Sequence, residues 1–393
     1  MTKNYKRIGE YIRLIDQRNK GLQVKQLLGL SISKQFIPSV ANIIGTDMEN
    51  YKIIRKNQFA CSTMQVRRDK KMPVALLQEV DEAIISQAYP IFEVKDEQEL
   101  LPEYLMMWFT RSEFDREACF HAVGGVRGSL EWEDFCDMQL PIPHPDKQRE
   151  IVKEYNAIQN RIALNQQLIQ KLEETAQTIY KQWFVEFEFP DENGKPYKSN
   201  GGEMVWNEEL EKEIPKGWEV TDLKHIIENF DFRRKPISGS DRHSKEKIYP
   251  YYGAAALMDY IDEYIFDGEY ILLGEDGSVV TENGTPVLQY VWGKFWVNNH
   301  AHVLKGKNGF DENSLYMLLK NTNITDIITG GVQAKINQTN LNSITIVKPT
   351  DQFLISYNKI LRPIFWLFKS KTKENQKLTE LKNLLLSKLA TIK

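Results

Sequence analysis

The chain has three cysteines in 393 residues, and Cys61, Cys119 and Cys136 form no C-x-x-C pair. An odd, scattered set of thiols argues against a disulfide framework, and the cytoplasm is the expected compartment. Long apolar runs are also missing. None approaches the ~18–20 residues that cross a bilayer, so no membrane partner is expected. The opening Met1-Thr2-Lys3-Asn4-Tyr5-Lys6 leads into no hydrophobic stretch, and a secretory signal is not expected either.

Cofactor loops are lacking too. No two of the 22 glycines lie two positions apart, which removes the dinucleotide fingerprint G-x-G-x-x-G. No Gly-Lys pair has a glycine five residues before it, which removes the Walker A loop. There is no Asn-Pro dipeptide, hence no Asn-Pro-Pro-aromatic signature of amino-methyltransferases. Glu93-Val94-Lys95 and Asp222-Leu223-Lys224 fit the loose carboxylate-x-lysine pattern of nucleases, but neither has a convincing upstream acid. Gly274-Glu275-Asp276-Gly277 reads as a tight turn, since two acids would repel an anion. His300 and His302 could share a strand face, without a third ligand at zinc-like spacing. No catalytic residue, metal or bound cofactor is expected in this chain.

A formal charge of −3 argues against a molecule coated in positive potential, but local stripes decide nucleic-acid binding. Residues 52 to 71 carry Lys52, Arg55, Lys56, Arg67, Arg68, Lys70 and Lys71 against Asp69 alone. Residues 233 to 247 carry Arg233, Arg234, Lys235, Arg242, Lys245 and Lys247 against Asp241 and Glu246.

The two halves repeat each other. Asp16-Gln17-Arg18-Asn19-Lys20 corresponds to Asp231-Phe232-Arg233-Arg234-Lys235, with Ile8 and Ile12 aligned on Leu223 and Ile227. Gly124-Gly125-Val126 is matched by Gly330-Gly331-Val332. Leu130, Phe135, Met138, Leu140 and Pro143 then line up with Ile336, Leu341, Ile344, Ile346 and Pro349. A colinear series through both halves is not chance.

A long helical pattern follows each proline. In the first, Ile151, Tyr155, Ile158, Ile162, Asn165, Ile169, Leu172, Ala176, Ile179 and Trp183 step by four and three, a coiled-coil seam. At 1.5 Å per residue, a helix over 146–184 would span roughly 55–60 Å. The second seam runs Leu354, Tyr357, Leu361, Ile364, Phe368, Lys371, Asn375, Leu378, Leu381 and Leu385, and Pro363 should kink or delay it. Asn165 and Asn375 both fall on the seam, where a polar pair would fix register in an antiparallel arrangement.

The expected fold is α+β: two mixed, β-rich globules separated by two long antiparallel coiled-coil helices, with a pseudo-two-fold internal repeat. The expected boundaries are a first globule over 1–143, a spacer helix over 144–186, a turn-rich linker over 187–216, a second globule over 217–349 and a second spacer helix over 350–393. Duplex DNA repeats its major-groove face every ~34–36 Å, so two such globules suit a split target with an unread middle. Matched docking places on the helices suggest two copies of a partner.

At this point the whole chain resembles a known family, the specificity subunits of type I restriction-modification systems. The resemblance rests on Tyr5-Lys6-Arg7-Ile8-Gly9-Glu10-Tyr11-Ile12, and on Leu140-Pro141-Ile142-Pro143 before Gln148-Arg149-Glu150-Ile151. Ile179-Tyr180-Lys181-Gln182-Trp183-Phe184 and Gly201-Gly202-Glu203-Met204-Val205 with Ile214-Pro215-Lys216-Gly217-Trp218 complete it. It implies two target-recognition domains, each reading one half of a bipartite double-stranded DNA site, and each followed by a spacer helix. It also implies two methyltransferase subunits carrying S-adenosylmethionine, and restriction subunits using ATP and Mg in the full complex. The chain itself would be non-catalytic.

Candidate contacts follow from position and chemistry. Arg127 and Gln333 follow the Gly-Gly-Val triplets, where Arg suits guanine and Gln suits adenine. Arg67, Arg68, Lys70, Lys71, Arg233, Arg234, Lys235 and Lys335 are phosphate candidates. Tyr252, Asn298, Asn299 and His300 are base-edge candidates. Two rivals stay open: a non-DNA adaptor of two modules on a coiled coil, and a stand-alone enzyme, which the missing cofactor loops discourage.

Overall fold

The computed structural model describes residues 5–39, 46–125, 128–243, 246–330 and 333–392. The chain divides into two compact units: Met1–Asn165 with Lys373–Lys393, and Gln166–Thr372. The division falls inside both long helices, Pro145–Tyr180 and Asp351–Lys388.

In the first unit, a four-stranded antiparallel sheet has the order Ile12–Ile15, Ile91–Val94, Phe59–Cys61, Val74–Leu76. Its two inner strands are nearly continuous apolar runs because they are covered on both faces, with Phe59, Ala60, Cys61, Ile91 and Phe92 all fully buried. The helix Pro102–Thr110 opens on a proline, whose missing N–H costs nothing in the first turn. Its Leu105, Met107, Trp108 and Phe109 enter the core. Phe59 stacks on Phe92 at 4.9 Å, and Phe109 meets both edge-on. The end of the second long helix completes this core: Leu386 and Leu389 share it with Ile151, and the Tyr5 hydroxyl donates to the Ala390 carbonyl at 2.9 Å.

In the second unit, a six-stranded sheet has the order Ile227–Asn229, Ala301–Gly306, Phe266–Gly274, Leu288–Val297, Tyr249–Tyr252, Leu257–Ile261. Neighbours are antiparallel except Tyr249–Tyr252 against Leu288–Val297. Below it, Trp183, Phe184, Trp218, Phe353 and Tyr357 form an aromatic core with centroids 4.8–6.1 Å apart.

The repeat is visible inside each unit. Strand Tyr5–Arg7 pairs with Gln139–Pro141 just before the first long helix, and Glu219–Asp222 pairs with Thr345–Lys348 just before the second. Upstream of these, two hairpins match. Val123 and Ser129 exchange both backbone hydrogen bonds, as do Thr329 and Lys335 at the same separation. Each hairpin turns on a left-handed glycine, Gly124 at φ +97° and Gly330 at φ +95°, a conformation that penalises a Cβ.

Both long helices form, and every seam position of the first is buried or half-buried. It ends in a wider π-turn over Lys181–Val185 rather than continuing as α-helix to 184. Within the first unit the helices are antiparallel: Arg161 and Asn165 meet Glu374 and Asn375, while Ile151 shares a core with Leu386 and Leu389. The second unit keeps that sense, with Trp183 against Tyr357 and Leu172 and Ala176 beside Ile364, Phe365 and Phe368. Pro363 does not delay the second helix, which runs through it: Pro363 and Lys359, whose carbonyl loses its partner, are both exposed, while Leu361 and Phe365 are buried on the flanks. One position of the second seam is corrected. Leu381 is 49% exposed and leaves the seam, which Leu385 and Leu386 carry onward.

Candidate nucleic-acid interface

The first unit gathers its candidates on the short helix Val66–Asp69 and the hairpin beside it. Arg67 extends along the hairpin and donates to the Gly124 carbonyl at 3.0 Å and to the Ala122 carbonyl. Gly128 packs on its stem, where a Cβ would meet the Arg67 Cβ at 2.6 Å. This guanidinium braces the hairpin rather than standing free for a phosphate. Arg68 is exposed but holds Asp69 through two bonds of 2.6 and 3.0 Å, which lowers the Asp69 carboxyl below its ordinary range. Lys70 and Lys71 are exposed. Arg127 lies outside the described residues.

The second unit brings more of its candidates together. Glu275 and Asp276 follow the strand Phe266–Gly274, and three segments converge on them. Arg234 donates to Glu275 at 2.5 Å, to the Ala301 carbonyl at 2.7 Å and to the Asn299 carbonyl at 3.4 Å. Its side chain is 14% exposed, so this arginine is an internal tie and not a free phosphate ligand. Lys335 reaches Glu275 at 3.5 Å, and His300 meets Asp276 at 3.0 Å. Gln333 is exposed, with its amide near Gly277.

The remaining candidates divide between surface and scaffold. Asn299, Lys235 and Arg233 are exposed; Arg233 covers the Phe266 ring at 4.8 Å and donates to the Ile265 carbonyl at 2.5 Å. Asn298 is buried, accepts the His300 amide at 2.9 Å and caps the turn, so it shapes the loop instead of reading a base. Tyr252 is half-buried with its ring edge-on to Phe295. Away from these loops, Asn165 donates to Asn375 at 2.9 Å, and Asn375 donates to the Ile162 carbonyl at 3.3 Å.

Residue spacing singled out His302 but not the partners that make it the centre of this cluster. His302 is 1% exposed; its Nδ1 lies 2.6 Å from Asp231 and its Nε2 lies 2.8 Å from the Ile336 carbonyl. Burial works to raise the Asp231 carboxyl. The hydrogen bond and charge of His302, the Val303 amide at 2.8 Å and Arg234 outweigh it and hold the group below the carboxylate range. Asp231, Glu275 and His302 offer three ligand atoms within 4.8 Å of one another. Arg234 already neutralises Glu275, and both imidazole nitrogens are engaged, so the arrangement is an ion-pair network and does not fit a metal centre. The signal was present in fragments: Asp231 heads the repeated string, and Glu275 opens the turn.

A family model described as the type I restriction modification DNA specificity domain matches residues 39–174 and 215–380. A Haemophilus influenzae Rd protein, described as a candidate type I restriction enzyme specificity subunit, is 38% identical over 133 residues, 34% of this chain and 33% of that one. The chain thus spans a third of the length of that relative. The specificity subunit of the type I restriction enzyme MjaIX from Methanocaldococcus jannaschii is 25% identical over 319 residues, 74% of this chain and 68% of that one. In fold, the chain is similar to the crystallised S subunit of a type I restriction-modification system from M. genitalium. That match has a TM-score of 0.59 at 15% identity and covers 98% of this chain and 95% of that one.

Proposed function

The chain belongs to the type I restriction-modification DNA specificity family, and from that premise we propose that it reads a split, asymmetric site in duplex DNA, one half-site per repeated half. It does no chemistry in this reading. Two methyltransferase subunits carrying S-adenosylmethionine dock on it and modify adenine at the site. Restriction subunits using ATP and Mg join them in the full complex, in the cytoplasm.

The observation that carries this reading is the matched pair of braced hairpins, Val123–Ser129 and Thr329–Lys335, each beside exposed lysine or glutamine and each followed by a short helix, a strand and then a long helix. A split target explains why a chain would keep two such devices. The helices also keep large apolar residues in solvent, Ile355 at 63% and Trp366 at 67% on the second and Leu164 at 55% on the first, as a docked partner requires. Among the described residues no helix is long and apolar enough to cross a membrane.

Methylome sequencing of a strain with and without this gene tests the reading. A bipartite adenine-methylated motif with a fixed unread gap should vanish with the gene. An unchanged methylome would overturn it.

A further inference from the structure

The reading loops of the second unit hang on one buried group of charges. His302 stands at its centre and faces an acceptor on each side, the Asp231 carboxylate at 2.6 Å and the Ile336 carbonyl at 2.8 Å. Both ring nitrogens are thus engaged, and His302 ties the Asp231 turn to the segment that ends in Ile336. Arg234 pairs with both carboxylates, Asp231 at 3.6 Å and Glu275 at 2.5 Å. All four side chains are 14% exposed or less, where an unmatched charge would be costly.

Each member of the group pins a different segment. Asp231 takes the Val303 amide and an Asn229 amide, which fixes the turn bearing Arg233 and Lys235. Arg234 bonds the carbonyls of Asn299 and Ala301, on either side of His300. Glu275 receives Lys335; its backbone carbonyl accepts from the Ile336 amide at 2.9 Å, and its amide donates to the His300 carbonyl at 2.8 Å. His302 holds the foot of the hairpin that carries Gln333. The first unit is built differently: the matching Asp16 is 60% exposed and pairs with Arg18, its hairpin is braced by Arg67, and its buried ion pair is Lys34 with Asp115 at 2.8 Å.

We propose that Asp231, Glu275, Arg234 and His302 are the positioning residues of the second half-site reader, setting its sequence preference by fixing Asn299, His300 and Gln333 relative to one another without touching DNA. The inference rests on the function proposed above. Because all four residues lie in the second unit, loss of the group should relax one half of the target and leave the other intact.

The test is co-expression of the full chain with its methyltransferase subunit and sequencing of the modified sites, for the wild type, His302→Gln and Asp231→Asn. Asp231→Asn keeps the shape and removes only the charge, so it serves if the His302 variant does not fold. Either variant should lose about tenfold in discrimination at the bases of one half-site, the scale of one good base contact. Discrimination at the other half-site should stay at the wild-type level. A merely structural role would lower modification everywhere and leave both preferences as they were, and that outcome overturns the inference. A wild-type complex that marks no motif would overturn the functional reading itself.

Discussion

An exposed lysine and a guanidinium already bonded to carbonyls respond differently to salt. Lys70 and Lys71 project from the helix end beside the Arg67 brace. Replacing both by alanine should weaken binding to random duplexes about equally across sequences and flatten the plot of log K against log salt by ~2, measured by fluorescence anisotropy. Arg67→Ala should leave that slope within error and instead cost about 1 kcal/mol of stability, since it releases the hairpin. A slope change in Arg67→Ala as large as in the lysine variant would return Arg67 to the phosphates. Asp231 supplies a pH prediction. Its folded carboxyl titrates below the unfolded value of ~3.9, so its charge stabilises the fold above that pH and the contribution is lost as pH falls through the folded value. Acid titration followed by tryptophan fluorescence should therefore show a wild-type loss below about pH 4 that Asp231→Asn lacks. At neutral pH the variant should be less stable by about 1.5–3 kcal/mol. Of these residues, sequence position picked out Lys70 and Lys71, which are exposed. It gave no hint of the bonds that Arg67 and Arg234 make, because their partners are backbone carbonyls and acids far along the chain, to which residue type gives no clue.

At the scale of elements, the period of the apolar residues made the two long helices and their antiparallel sense legible in advance, and the matched Gly-Gly-Val triplets marked where the two hairpins lie. Asn165 and Asn375 could be picked out because a polar residue interrupts an otherwise apolar seam. What the pattern could not give was the end of the second helix. Leu381 continues the arithmetic of the seam yet is half-exposed, while Leu386 and Leu389 leave the helix pair and enter the core of the first unit. Leu389→Ala should thus destabilise that unit by about 2–5 kcal/mol, far more than a surface leucine such as Leu384, read as a shift in the denaturant midpoint. The paired asparagines make a second prediction. Asn165→Leu alone leaves the Asn375 amide facing an apolar neighbour and should cost about 1–3 kcal/mol. Combining it with Asn375→Leu should restore stability, since two matched leucines suit a seam better than one orphaned amide. A double variant as unstable as the single would remove the asparagine pair as the reason.

For the molecule as a whole, the duplication predicts its own stoichiometry. Native mass spectrometry of the assembled complex should give two methyltransferase subunits per chain, and one would break the correspondence between repeated halves and repeated partners. The net charge of −3 sets the terms for DNA: attraction must come from the exposed lysines and Arg233 locally, so non-specific affinity should fall steeply between low and physiological salt. The four-residue arc Leu386–Leu389 has a further consequence, for the order in which the chain is made. Its leucines are added roughly 10–40 s after Asn165 at ordinary ribosomal speeds, and until then the first-born unit has Ile151 and Tyr5 without their lid. Translation of this chain therefore passes through a stage with an open greasy face, during which nascent polypeptide should be a client of chaperones that bind unfinished cores.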